Sequence, residues 1–162
     1  APLSPGWVEQ PVDKPMACGA PNVFYGEKRY LPLRRPRGVR AAPGELSWTT
    51  PCFTHYQDFD WWKPHDDIPG TRSVRMRAGD GEIRAEECWT FESPPEALAM
   101  FFAEAETPLN VRWRCDQGHR VSTVAVEGMP EWRSYWGPLR RVHQIDIDPA
   151  REVHVSYVLR RG

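Results

Sequence analysis

Eleven of the seventeen prolines fall within residues 1–70, among them Pro2, Pro5, Pro11, Pro15, Pro21, Pro32, Pro36 and Pro43. Proline fixes φ and lacks an amide hydrogen, so this spacing excludes long helices and unbroken central strands from that part of the chain. The same segment carries Trp7, Phe24, Tyr25, Tyr30, Trp48, Phe53, Trp61 and Trp62. That is too much aromatic surface for a segment that stays unfolded. The sequence predicts an ordered, loop-rich segment over 1–70, with short strands near 23–31 and 46–54, wrapped over a core formed by 71–162. At 162 residues the whole is expected to be a single domain, 1–162.

In the second part the patterning changes. Val74, Met76 and Ala78 alternate with Ser73, Arg75 and Arg77, and Gly79-Asp80-Gly81 follows, the composition of a tight hairpin turn. Ile83, Ala85, Trp89 and Phe91 then share one strand face, with Cys88 on the other. Ser93-Pro94-Pro95-Glu96 has the form of a helix start. A Ser N-cap, Pro at the first helical position and Glu three residues after the cap make a capping box. Leu98, Phe101, Phe102 and Ala105 recur at i, i+3, i+4 and i+7, so a helix is predicted over about 94–105. Leu109, Val111, Trp113 and Cys115 alternate with Asn110, Arg112, Arg114 and Asp116, a half-buried strand. A turn at Asp116-Gln117-Gly118 is expected to pair it with 119–127. A final hairpin looping at 148–152 would pair Ile147 with Val153, Ile145 with Val155 and His143 with Tyr157. The order expected over 71–160 is β-β-α-β-β-β-β. The fold class is α+β: a mainly antiparallel sheet with one helix packed on it.

The four cysteines, Cys18, Cys52, Cys88 and Cys115, are even in number and show no C-x-x-C spacing. That spacing disfavours a zinc site and favours two disulfides in an oxidising compartment. Cys18–Cys52 and Cys88–Cys115 are the expected pairs, because each closes a local loop. Cys88 lies on the wrong strand face, so the second bridge requires a bulge near Glu86-Glu87. With the start at Ala1 and no initial Met, these bridges point to the bacterial periplasm or the extracellular space, after removal of a signal peptide. A formal net charge of −1 gives no bulk attraction to nucleic acid. No apolar run approaches the length of a membrane-spanning helix.

Chemistry-bearing residues are most concentrated in residues 55–67, which include His55, Asp58, Asp60, Trp61, Trp62, His65, Asp66 and Asp67. Their spacing matches no zinc or calcium signature, and neither a metal nor a cofactor is expected. Glu86 with Glu87, or Asp60 beside Trp61 and Trp62, are the carboxylates that hydrolysis would use, but ordinary surface acids look the same. The basic run 33–40 reads as a solvated loop or an anion contact. No nucleophile elbow is present. His143 reads as a hydrogen-bonded core histidine, and His154 faces away from the core. No catalytic residue is assigned; the reading leans away from an enzyme and leaves the question open.

Trp61, Trp62, Trp132, Tyr135 and Trp136 lie in loops, without the alternation that would commit them to the core. Exposed Trp and Tyr bring large area at little rotamer entropy, the property of interface anchors. The expected partner surface is His55, Asp58, Asp60, Trp61, Trp62, His65 and Asp66, with Trp132, Tyr135 and Trp136. The functional class expected is a periplasmic or secreted protein-binding module, of the immunity or inhibitor kind, that neutralises a toxin or hydrolase. A secreted hydrolase and a glycan-binding envelope protein are the alternatives.

Overall fold

A computed structural model describes residues 18–55, 66–105, 107–125 and 139–162. It is all β. The strands are β1 (Pro21–Tyr25), β2 (Lys28–Leu31), β3 (Arg37–Ala42), β4 (Glu45–His55), β5 (Asp67–Gly79), β6 (Glu82–Phe91), β7 (Ala97–Glu104), β8 (Leu109–Cys115), β9 (His119–Ala125), β10 (Arg141–Ile147) and β11 (Glu152–Arg161). They form one antiparallel sheet in the order β8-β11-β6-β5-β4-β2-β1-β7-β10-β9, with β3 on the flank of β4. The sheet coils into a nearly closed barrel. Its two end strands, β8 and β9, are consecutive in sequence. The bend between them is tied to both halves, by Asp116 N to His154 O at 3.1 Å and Asp148 N to Gly118 O at 2.8 Å.

The expected α+β class is overturned by β7. Residues 97–104 read Ala-Leu-Ala-Met-Phe-Phe-Ala-Glu, and all but Ala103 are buried. A continuous apolar run satisfies helical spacing and strand spacing alike. The sheet decides between them, because β7 is hydrogen-bonded along both edges, by β1 and β10, and side chains of both parities are buried. The capping box does not form: Glu96 N donates to Phe24 O at 2.8 Å and Ser93 O accepts from the Tyr25 hydroxyl at 2.6 Å. That stretch leads a strand into register.

Turn chemistry is more faithful to the sequence. Gly79 pairs with Glu82, and the two loop residues Asp80 and Gly81 have φ of 51° and 74°, the left-handed pair of a type I′ hairpin. Pro51 and Pro69 lie in β4 and β5, where the register shifts between Thr50 and Cys52. A bulge is where a sheet tolerates residues that cannot donate.

The last two expected hairpins correct in a different way. Their strands exist, but β8 pairs with β11 and β9 with β10, so neither β8–β9 nor β10–β11 is a pair. The inward faces survive this change of partners: Ile145, Ile147, Val153, Val155 and Tyr157 are all in the core. Facing residues within the barrel now meet across its interior. Phe102 of β7 packs on Tyr157 of β11 with centroids 4.9 Å apart; beside this contact Trp113 of β8 stacks on Tyr157, its own ladder partner, at 5.6 Å and 9°.

Neither disulfide forms. Cys88 pairs with His154 and Cys115 with Val155, so β11 lies between the two cysteine strands. Two strand spacings are about 9.6 Å, beyond the reach of a bridge, and the thiols point to opposite faces. Cys18 is bridged to Phe101 beside β7, while Cys52 sits on β4, with β2 and β1 between those strands. All four cysteines are thiols, so compartment loses the support that bridges lent it. No helix among the described residues is long and apolar enough to cross a membrane.

Inside the barrel lies a charge pair. Arg72 of β5 and Glu87 of β6 form a two-bonded ion pair at 2.8 Å. Glu87 also accepts from Trp89 Nε1 at 2.7 Å and from the Tyr157 hydroxyl at 2.9 Å. Arg72 donates again, to Gly19 O at 2.8 Å. Breaking a buried pair leaves a charge without compensation. Arg72→Met is expected to lower stability by about 3–5 kcal/mol in urea melts, and Arg72→Met with Glu87→Met to recover most of that loss.

Candidate functional site: a cross-strand trough

Because strand side chains alternate, the outward residues of neighbouring strands line up in rows across a sheet. Two such rows bound an open trough of about 740 Å³. One row runs Arg40, Ser47, Arg75, Glu86, Ser156, Arg114. The other runs Thr49, Ser73, Cys88, His154 and ends at Asp116. Between them Trp48, Val74, Glu87, Val155 and Cys115 complete the lining. From β3 to β8 the trough crosses six strands, about 24 Å at ordinary strand spacing.

Charge is unevenly spread along it. Arg40 and Arg75 stand at the β3 end, where Arg75 is held by Glu45 at 2.7 Å. Thr49 and Ser73 share a hydrogen bond of 3.2 Å on the opposite wall. Arg40 and Arg114 make no ion pair among the described residues. At the β8 end the anions gather: Asp116 Oδ1 accepts from His154 N at 3.0 Å, and Glu152 Oε1 lies 2.7 Å from His154 Nε2. Cys88 Sγ is 3.9 Å from that same Nε2.

A Cys-His-acid relay needs the base to hold the nucleophile with one ring nitrogen and the acid with the other. Here a single nitrogen faces both. Partial burial, then the carboxylates of Glu152 and Asp116, raise the Cys88 pKa above its ordinary value, which keeps the thiol protonated. The group is not an activated nucleophile.

Of the expected partner surface, His55 and Asp66 are described; Asp58, Asp60, Trp61, Trp62, His65, Trp132, Tyr135 and Trp136 lie outside the described residues. His55 and Asp66 meet at the far end of β4 and β5, where His55 N donates to Asp66 O at 2.8 Å. The His55 ring packs on Tyr30, and Lys28 reaches Asp66 at 3.7 Å. Seven residues of strand separate His55 from Trp48 at the trough, about 23 Å. The acids Glu86 and Glu87 are split between faces, outward and inward, so they cannot flank one bond. His143 is hydrogen-bonded as expected, 3.2 Å from Glu104 Oε2.

The trough itself was missed by sequence reasoning. Its residues are those left over by the core alternation, and they converge only when strand partners are known. One signal was available: the parity that buries Ala85, Trp89 and Phe91 also buries Glu87, and it leaves Glu86 and Cys88 facing out.

No protein-family model matches the chain, and no curated protein matches it in sequence. Among solved structures, 4-alpha-glucanotransferase from Thermococcus litoralis is similar, with a TM-score of 0.53 and 10% identity. The alignment covers 91% of this chain and 28% of that one, so the present chain spans under a third of that protein's length. At such identity the likeness is one of fold. It does not bear on immunity or inhibition, the roles the sequence had suggested.

The thiols give a direct test of this geometry. Non-reducing peptide mapping is expected to find four thiols and no cystine. Burial pushes the Cys18 thiol up to about 11, so at pH 8 only about one molecule in a thousand carries it as thiolate. Iodoacetamide on the native protein should therefore label Cys18 last, followed by mass spectrometry at successive times.

Proposed function

We propose that the chain is a non-catalytic binding module that takes an extended, acidic segment of a protein partner along the trough. The observation that carries this reading is the pair of cross-strand rows, with Arg40 and Arg114 lacking carboxylate partners of their own among the described residues. An extended segment fits an open channel about 24 Å long, the reach of roughly seven residues of extended chain. Arg supplies planar, two-bonded recognition of carboxylates and is enriched at interface hot spots. The hydroxyls of Ser47, Thr49, Ser73 and Ser156 offer bonds to backbone amides and carbonyls.

A glycan is less well served. Sugar faces stack on exposed aromatic rings, and neither outward row of the trough carries a Trp, Tyr or Phe; the one such residue in the lining, Trp48, has the inward parity of its partner Val74. Hydrolysis is less well served too: Glu86 faces Arg75 directly across β5 and β6, and the other carboxylate on that face of β6, Glu82, lies four residues away, about 13 Å, and is held by Arg84 and Arg160.

The test is fluorescence anisotropy with labelled peptides of seven to ten residues, rich in Glu and Asp, against neutral peptides of equal length and against linear oligosaccharides. Acidic peptides are expected to bind best and to weaken with added salt. Arg40→Glu and Arg114→Glu should each weaken them at least about tenfold, the effect of replacing an attraction by a repulsion, without lowering the melting temperature. Equal affinity for neutral peptides, or preference for the oligosaccharides, would overturn the reading.

A further inference from the structure

We infer that Cys88, Glu152 and His154 form a binding site for a zinc-class divalent metal ion at the β8 end of the trough. Sγ of Cys88, Nε2 of His154 and a carboxylate oxygen of Glu152 all lie within 4.8 Å of one another. Three different donor types, sulfur, nitrogen and oxygen, suit a borderline-soft ion, and zinc accepts each of them.

The geometry needs little movement. Around a tetrahedral zinc at ordinary bond lengths, the nitrogen and oxygen would stand about 3.4 Å apart and the nitrogen and sulfur about 3.6 Å. They now stand at 2.7 Å and 3.9 Å. The first pair must open by about 0.7 Å and the second close by about 0.3 Å, adjustments within the rotamer freedom of an exposed Glu and His. The proton between His154 and Glu152 would give way to the metal, and the Cys88 thiol would release its own.

The backbone under the site is fixed. Cys88 and His154 are directly opposed across β6 and β11, and Glu152 lies two residues along β11, on the same face. Asp116 anchors the backbone of His154 through its Oδ1 and adds a negative charge beside the site. With three protein ligands, the fourth position opens to the trough, where water or a side chain of a bound segment can complete the sphere. The site does not depend on the peptide reading above, because metal binding is measured on the chain alone.

The experiment titrates the reduced, metal-free protein with Co²⁺ and follows the near-ultraviolet thiolate-to-cobalt charge-transfer band, then displaces Co²⁺ with Zn²⁺. One equivalent of Co²⁺ is expected to saturate the band, and Zn²⁺ to abolish it. Cys88→Ser should remove the band. His154→Ala should lower affinity at least about 100-fold, more than the loss of an outer-shell partner does. Glu152→Gln should weaken binding as well, and Cys115→Ser should leave it unchanged. Circular dichroism checks that each variant is folded. No band in the native protein, a band that survives Cys88→Ser, or one lost in folded Cys115→Ser would overturn the assignment. Displacement of the peptides without any cobalt band would likewise count against the metal while sparing the binding module.

Discussion

A buried guanidinium and carboxylate hold the centre of this barrel. Arg72 and Glu87 are directly bonded at both ends of the carboxylate, and every remaining acceptor direction on Glu87 is used by Trp89 or Tyr157. Charges in such a place are costly unless each is fully matched. The matching draws on β5, β6 and β11, and through Gly19 on the chain that enters β1. Four parts of the molecule must be in register before the pair is satisfied. A sheet slipped by one residue would turn Glu87 to solvent and strand Arg72 inside. The ion pair is therefore a register lock for the central strands. Burial of Tyr157, then the neighbouring Glu87, drives that phenol's pKa upward, which keeps its hydroxyl a donor.

Closure rests on topology more than on any single contact. The end strands of the sheet, β8 and β9, are joined by three residues, so the chain itself brings the two edges to one corner. Bonds from Asp116 and Asp148 complete that corner. The Phe102–Tyr157–Trp113 cluster fills the space between halves that no ladder connects. On the open flank of β4, strand β3 is left with a bulge between Arg37 and Arg40. A bulged strand rich in Arg resists pairing with another chain.

How far the sequence could be read follows from the range of each interaction. Two-residue turns are local, and Asp80-Gly81 appeared where its composition indicated. Inward faces are also local, because parity along one strand determines them; Trp89, Val153, Val155 and Tyr157 were legible. Partners are not local. Ile147 with Val153 made a continuous apolar face on paper, yet each found its place in a separate part of the barrel through β7 and β6. The helix failed because Ala97 to Glu104 is apolar at nearly every position, and a signal without gaps has no period. The disulfides failed for a related reason. Even number and loop length ignore which strand lies between two cysteines, and the parity conflict at Cys88 was the sign that β11 does.

The same parity that builds the core also writes the trough. On β6, Ala85, Glu87 and Trp89 belong to the interior, and the residues between them, Glu86 and Cys88, belong to the two outward rows. Neither set can shift without the other, so the core lock at Glu87 also fixes the outward residues beside it. Cys88 stands opposite His154 because Glu87 stands opposite Val155 and Val74. A surface held this way reorganises little on binding, which lowers the ordering cost that a loop-built site incurs. Rigidity also explains why the charged ends of the trough can differ. Arg40 and Arg75 toward β3, and Arg114 with Asp116 and Glu152 toward β8, are held apart by the width of the sheet, so the order of charges along the trough is fixed by the register.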